Sequence, residues 1–471
     1  MIRLALPTGD LRESVGRLLE SAGLDVRDYA SGSRSYVLSS QGNGGIQMRV
    51  FREKDIPIQV ALGNYDLGVC RIEWVEDLTQ RYPTNAIVPL RDLGVGRRSL
   101  FVATAPGNGV DVRDWAQLEG LRIVSEYANI AEAFAMGLRL ADYRVFPVWG
   151  TAEAYPPEDA DIALISAVDE EEVLRLGLLP LHSLLESSVW VVANRRSLDE
   201  RGLRPLLASP LLAGAAPDGR PALNLPLAPA AALRRARNAS NSDDIVRLAL
   251  PDGHQQRHAV AALEAAGLSF EGYGVGECVA RPDSGMPGLS LKVIRPQDMP
   301  QQVALGHFDL AIAGRDWLLD HLYRFPGSPV EEAVDLGLGR YAVAAVVTAD
   351  MPASSLEDAL GLWQREGKST IRIASEYVNI ADDCARAHHL PRYKVIPIGG
   401  ASEGFVPEDA ELLVEGTETG ATLAANNLKA IDVLLESTAC VIKHRGEVAR
   451  KKRPLLDDLL ARFRRAAARE A

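Results

Sequence analysis

Residues 410–422 read AELLVEGTETGAT, and residues of these types in this order suit the grip of a sugar phosphate. Leu412, Leu413 and Val414 predict a buried strand. Glu415-Gly416-Thr417-Glu418-Thr419-Gly420-Ala421-Thr422 then predicts a tight turn into a helix. A helix start offers unpaired N–H groups and the positive end of the dipole. Gly416 and Gly420 let the backbone approach an anion closely, and Thr417, Thr419 and Thr422 add hydroxyl donors. Together these read as a monophosphate site. Just upstream, Glu411 and Glu415 are within reach of sugar hydroxyls or a Mg²⁺ ion. The bland alternative is a threonine-capped helix start with no ligand. Leu423, Leu428, Ile431, Leu434 and Leu435 fall at helical spacing, which predicts that a helix continues through this stretch.

The elements that position this loop belong to an internal repeat. RLALPTG at 3–9 returns as RLALPDG at 247–253, DIPIQVALGNYDL at 55–67 as DMPQQVALGHFDL at 298–310, and SEYANIA at 125–131 as SEYVNIA at 375–381. Matches in this order divide the chain into a first copy at 1–213, a Pro- and Ala-rich linker at 214–243, and a second copy at 244–471. Within a copy, short apolar strands alternate with helical stretches such as VGRLLESAG, which predicts parallel α/β sheets. The first copy lacks the loop. A shift of 250 residues puts Asp169-Glu170-Glu171-Glu172 where the second copy has Thr419-Gly420-Ala421-Thr422, and four carboxylates repel a phosphate.

Composition narrows the class. A net charge of −12 argues against a nucleic-acid partner, which needs a basic footprint. Cys70, Cys278, Cys384 and Cys440 are scattered, so neither a zinc site nor a disulfide scaffold is expected. Neither a signal peptide nor a membrane-length apolar run is apparent, and a cytoplasmic protein with no membrane partner is expected.

In RLALPDG, IRPQDMPQQVALGHFDLAIAGRD, IRIASEYVNIA and above all TETGATLAANNL, the second copy resembles the catalytic region of ATP phosphoribosyltransferase, which opens histidine biosynthesis. The first copy resembles the same region over 3–195 without its loop. The resemblance implies tandem α/β units, each two-lobed like a type II periplasmic binding protein, with a site in the cleft. It implies ATP and phosphoribosyl pyrophosphate as substrates, Mg²⁺ as the assisting ion, and attack by adenine N1 with loss of pyrophosphate. Carried over by position, Glu411 through Thr422 hold the ribose 5-phosphate and hydroxyls. Glu403 lies near the ribose, Arg295 faces the phosphates, and Asp298 and Arg315 belong to the substrate-binding set. Tyr377 and Asn379 are expected to cap and pack a helix.

The chain also departs from the family. The first strand-to-helix turn, basic in relatives, reads Asp252-Gly253-His254-Gln255 here and Thr8-Gly9-Asp10-Leu11 in the first copy. The first copy keeps Arg34, Arg52, Lys54, Arg97 and Arg98, which suggests that Arg52 and Arg98 are lent across a copy–copy interface to a composite site. The rival reading is a non-catalytic regulatory or ligand-binding protein on the same scaffold. The basic C-terminal segment reads as a packing helix, and the family's separate regulatory domain is expected to be absent. A homo-oligomer is possible on this reading.

Overall fold

The computed structural model describes residues 2–24, 26–29, 36–38, 45–82, 86–108, 120–138, 140, 142–200, 221–225, 244–390, 392–446 and 448–470. Arg34 and most of the segment 214–243 lie outside these residues, as does the first-copy stretch RPLLASPLL that resembles the C-terminal segment.

Each copy folds into two main sheets, and the second adds a two-stranded ribbon of Glu271–Gly274 and Glu277–Asp283. Lobe 1A orders its strands Val37–Leu38, Ile46–Phe51, Ile2–Pro7, Leu67–Arg71, Val189–Asn194 and Ile87–Asp92. Lobe 2A repeats this as Leu289–Ile294, Val246–Pro251, Leu310–Gly314, Ala439–His444 and Val330–Asp335. The second-lobe sheets also match. Lobe 1B runs Leu179–Ser187, Arg98–Thr104, Ile162–Ala167, Leu121–Ser125, Tyr143–Pro147, and lobe 2B runs Leu428–Ser437, Tyr341–Thr348, Leu412–Thr417, Ile371–Ser375, Tyr393–Pro397. The chain crosses from lobe A to lobe B and comes back, because Val189–Asn194 pairs antiparallel with Leu67–Arg71 and Ala439–His444 does the same with Leu310–Gly314. The expected class, α/β with two tandem two-lobed units, is the one observed.

Local sequence explains the elements. In Ile2–Pro7 the last four residues are buried, as an apolar strand covered on both faces requires. Helix Arg12–Ser21 turns Val15 and Leu19 inward, and Gly23 at φ 82° lets the chain leave it. One element departs from expectation. The helix after the loop spans only Ala421–Ala425, and Leu428–Ser437 is a strand. Asn427 takes a left-handed φ of 55° and breaks the helix there. The C-terminal helix Arg453–Glu470 packs Leu456, Leu459, Leu460 and Phe463 into the lobe 2A core, as its spacing predicts.

The copies pack reciprocally. One core joins lobes 1A and 1B with Phe405, Val406 and Leu413 of lobe 2B. Another joins lobe 1B with Ile294, Met299 and Val303 of lobe 2A. Matching contacts recur on both sides of a pseudo-two-fold axis. Gly399 N donates to Asp55 at 2.9 Å, and Trp149 N to Asp298 at 3.0 Å. Arg49 pairs with Glu408, while Lys292 pairs with Glu158 at 2.9 Å. A contact of the kind that joins two subunits is thus made within one chain.

Candidate active site

In lobes 2A and 2B the parallel strands end at a common crevice, where α/β sheets place ligands. Val246–Pro251 leads into the turn Asp252–Gln255, and Leu289–Ile294 leads into Arg295. From the other side, Ile371–Ser375 leads into Glu376 and Tyr377, and Leu412–Thr417 into the loop. These segments enclose a cleft of about 750 Å³. Tyr36 and Arg52 of the first copy also line it.

The loop is built for close approach. Gly420 sits at φ 71°, a conformation that glycine takes without strain. A Cβ on Gly416 would lie 3.0 Å from the Tyr341 ring and 3.2 Å from the Tyr377 hydroxyl. The loop amides turn onto its own hydroxyls: Gly420 N donates to Thr417 Oγ1 at 2.9 Å and Ala421 N to Thr419 Oγ1 at 3.4 Å. The five-residue helix behind it supplies a smaller dipole than a long helix would. Amides and hydroxyls, more than the helix dipole, are therefore what the loop would offer an anion.

Below the loop lie three carboxylates, Glu403 buried and Glu376 and Glu415 half-buried. Burial raises the pKa of Glu376, Glu403 and Glu415, and mutual repulsion adds to it at Glu403 and Glu415, with Glu415 held well above the ordinary range. Ser402 Oγ donates to Glu415. Opposite them stand the cations. Arg295 pairs with Asp252 at 3.1 Å. Arg52 crosses from the first copy against Gly400, where an added Cβ would meet its Nε at 2.6 Å. That approach requires glycine at position 400. Arg52 and Lys54 counter the burial at Glu376. Three buried atoms around the cleft, Arg295 Nε, Asp252 Oδ1 and Gln297 Oε1, have no hydrogen-bond partner among the described residues, a common mark of a ligand site. Trp317 and Tyr377 stack with ring centroids 4.3 Å apart and form a flat aromatic wall.

Of the residues singled out from sequence, Arg295, Glu403, Glu415, Gly416, Thr417, Glu418, Thr419, Ala421 and Thr422 line the cleft, with Gly420 between them in the loop. Three others are placed elsewhere. Glu411 is tied to Lys368 and Arg372 at 3.1 and 2.9 Å, at the far end of the strand from the loop. Arg315 is bound to Glu332 and Asp335 at 2.7 and 2.8 Å. Asp298 is buried in the copy–copy contact described above. Asn379 binds Asp320 through its backbone and side chain. The two cations suggested for a composite site also separate. Arg52 reaches the cleft, whereas Arg98 stays in the first copy, on Glu172 at 3.2 Å.

The matching crevice of the first copy is filled by its own side chains. Where the second copy has Gly314, the first has Arg71, bound to Glu53 at 2.8 Å and to Asp10.

A family model described as HisG: ATP phosphoribosyltransferase matches residues 52–209 and again 295–465. The chain belongs to the ATP phosphoribosyltransferase family. Among relatives, the ATP phosphoribosyltransferase of Chlorobium chlorochromatii is 33% identical over 208 residues, 44% of this chain and 66% of that protein. That of Deinococcus deserti is 31% identical, over 47% of this chain and 94% of that protein. The chain spans two thirds or less of several of these relatives, as little as 58% for the Saccharolobus solfataricus protein. Among solved structures, an ATP phosphoribosyl transferase (HisG:HisZ) complex from Thermotoga maritima aligns with 48% of this chain and 100% of its own, at 19% identity and TM-score 0.38. The aliphatic sulphonate binding protein SsuA of Escherichia coli aligns with 44% of this chain and 66% of its own, at 13% identity and TM-score 0.29.

For this ATP phosphoribosyltransferase-family chain, sequence reasoning passed over Glu376, Trp317, Tyr341 and Arg257, all of which line the cleft. Glu376 sits inside the repeated SEYVNIA, and its place after a buried strand was the available signal. Arg257 gave none, since it follows the altered turn and faces the cleft only through the course of its helix.

Proposed function

We propose that the second copy transfers a 5-phosphoribosyl group from phosphoribosyl pyrophosphate to N1 of the ATP adenine, as in the first step of histidine biosynthesis, and that the first copy lends Arg52 to the site. The observation that carries this reading is the convergence on one cleft of an amide- and hydroxyl-lined loop, three clustered carboxylates and arginines from both copies. The loop from Gly416 to Thr422 would take the 5-phosphate. Glu403, Glu376 and Glu415 would accept hydrogen bonds from ribose hydroxyls. Arg295 and Arg52 would neutralise the charge that grows on pyrophosphate as the anomeric carbon–oxygen bond breaks and the N1–carbon bond forms. The wall of Trp317 and Tyr377 offers a stacking face for a purine.

The donor set fits Mg²⁺, a hard ion that takes carboxylate and phosphate oxygens. Crowded and largely desolvated, Glu376, Glu403 and Glu415 would gain from a nearby cation, as their raised pKa values imply. When bound with the pyrophosphate group, Mg²⁺ offsets leaving-group charge. The protein's own share is to align two large anions and exclude water.

The pairing of Asp252 with Arg295 favours the rival reading, because it sets a carboxylate beside a cation meant for phosphate. Calorimetric titration with phosphoribosyl pyrophosphate and Mg²⁺, followed by pyrophosphate release on adding ATP, decides between them. Binding and release support the transferase. Binding without release selects a ligand-binding protein, and no binding removes both.

A further inference from the structure

We propose that His254, His258 and Glu418 form a site for a divalent transition metal of the Zn²⁺ class, spanning the mouth of the cleft. His254 lies in the one-turn helix Gly253–Gln255, and His258 in the first turn of Gln256–Ala265. Four residues apart, they share one face of the helix start. Glu418 comes from the opposite lobe, at the tip of the phosphate loop. All three ligand atoms lie within 4.8 Å of one another. His254 Nε2 is 3.6 Å and His258 Nε2 is 3.4 Å from Glu418 Oε1. Zinc–ligand bonds of about 2.0–2.2 Å in a tetrahedron put ligands about 3.4 Å apart, so little adjustment is needed. Two imidazoles and one carboxylate, with a fourth position open to water, match the Zn²⁺ class and not Mg²⁺, which prefers oxygen donors.

A second observation shows that these atoms already converge on positive charge. The Arg257 guanidinium stands among them, with Nη2 3.0 Å from His254 Nε2 and 2.7 Å from Glu418 Oε2, and Nε 3.1 Å from His258 Nε2. Both histidines thus face one cation with their Nε2 atoms, the tautomer that ligates metal from that side. The Arg257 side chain is 50% exposed and is free to swing into solvent when a dication takes its place. The first copy is an internal contrast. Its corresponding residues are Asp10, Ser14 and Val168, which lack both imidazoles and the loop carboxylate.

A metal here ties lobe 2A to the phosphate loop of lobe 2B, and the site stands apart from the reading of the cleft as a transferase. The test therefore needs no turnover. The full chain, freed of metal, is titrated with Co²⁺ alone and followed by visible absorption, then with Zn²⁺ alone by calorimetry. The expected result is an intense tetrahedral Co²⁺ spectrum at a single equivalent. The His254→Gln/His258→Gln chain should lose it and bind Zn²⁺ about a hundredfold more weakly, and Glu418→Gln at least about tenfold more weakly. Arg257→Gln, which removes the competing cation, should bind more tightly than the natural chain. The proposal is overturned if the double variant binds as well as the natural chain, or if Arg257→Gln binds more weakly. Phosphoribosyl pyrophosphate binding, measured in Mg²⁺ buffer free of transition metals, then stands or falls separately.

Discussion

The two copies fold the same strand, turn and short helix, at Ile162–Arg175 and Leu412–Ala425, and place opposite chemistry on it. In the first copy the protein supplies its own anions. Asp169 Oδ1 accepts from Glu172 N at 2.8 Å, Glu172 Oε2 accepts from Val168 N at 2.5 Å, and Arg98 binds Glu172 in turn. In the second copy the equivalent turn holds threonines and a glycine, and its amides lean on weak hydroxyl acceptors that a phosphate would displace. The lobe A wall differs in the same sense. Arg71 and Glu53 fill the first crevice, whereas in the second Pro296 lines the open cleft and Gly314 is covered by the Asp316 and Gln255 side chains. In the first crevice, carboxylates and a guanidinium group of the chain satisfy one another. The first copy also extends Arg52 into the cleft of its neighbour.

The largest expected effect comes from erasing the loop difference. Thr419→Asp/Thr422→Glu brings the first copy's acids into the second. At about 4 kcal/mol for each close like-charge contact near a protein surface, phosphoribosyl pyrophosphate affinity should fall at least about a thousandfold. Calorimetry measures it, and retained binding would show that the loop is not the phosphate site. Next comes the plug itself. Arg71 is 9% exposed and Glu53 12%, so Arg71→Ala leaves a carboxylate buried without its main partner. The cost should be about 3 kcal/mol of stability, read by chemical denaturation, with phosphoribosyl pyrophosphate binding in the second copy unchanged.

How much of this was legible follows from the geometry of particular residues. Buried strands such as Val246–Pro251 are apolar runs with turn signals at each end, and repetition doubled that signal. The turn before Ala421 could be read because glycine and threonine form it: Gly420 takes a positive φ and donates to Thr417. The strand Leu428–Ser437 misled, because it lies at the edge of its sheet. Two register shifts against Tyr341–Thr348 break its alternation, so its leucines mimic a helix. Glu411 misled because closeness in sequence is not closeness in space. The strand Leu412–Thr417 carries the chain roughly 20 Å away before the loop begins. Arg52 and Arg98 looked alike as first-copy cations, although Arg52 aligns with Arg295 and Arg98 with Tyr341. Only the packing of one copy on the other separates them.

That separation supplies the third prediction. Arg52→Ala removes a cation from the second copy's cleft and should lower turnover roughly 10- to 100-fold, the worth of a charge-assisted contact. Arg98→Ala should leave turnover unchanged, since Arg98 and its partner Glu172 both belong to the first copy and neither lines the cleft. Gly400→Ala should mimic Arg52→Ala by displacing the Arg52 side chain. Equal losses for Arg52→Ala and Arg98→Ala in steady-state kinetics would undo the claim that only one crosses.

The smallest effect tests the pseudo-two-fold contact through its paired aspartates. Burial pushes Asp298 up to about 7, opposed by the Trp149 N–H, while Glu126 adds to the rise. Burial pushes Asp55 only to about 6, because Lys54 next to it opposes the shift, where the second copy has Gln297. In both cases the folded value lies above the ordinary 3.8, so the native state holds protons that the unfolded chain has released. Their stabilising contribution is therefore full below about pH 4. It is lost as pH rises through about 6 for Asp55 and about 7 for Asp298, at up to about 1.4 kcal/mol per pH unit for each group. Asp298→Asn keeps an oxygen for the Trp149 N–H and should flatten denaturation midpoints between pH 5 and 7. Lys54→Gln should extend the decline to higher pH by lifting Asp55 toward its counterpart. An unaltered slope in Asp298→Asn would mean that the aspartate is ionised throughout, and that the two sides of the contact differ in sequence but not in charge.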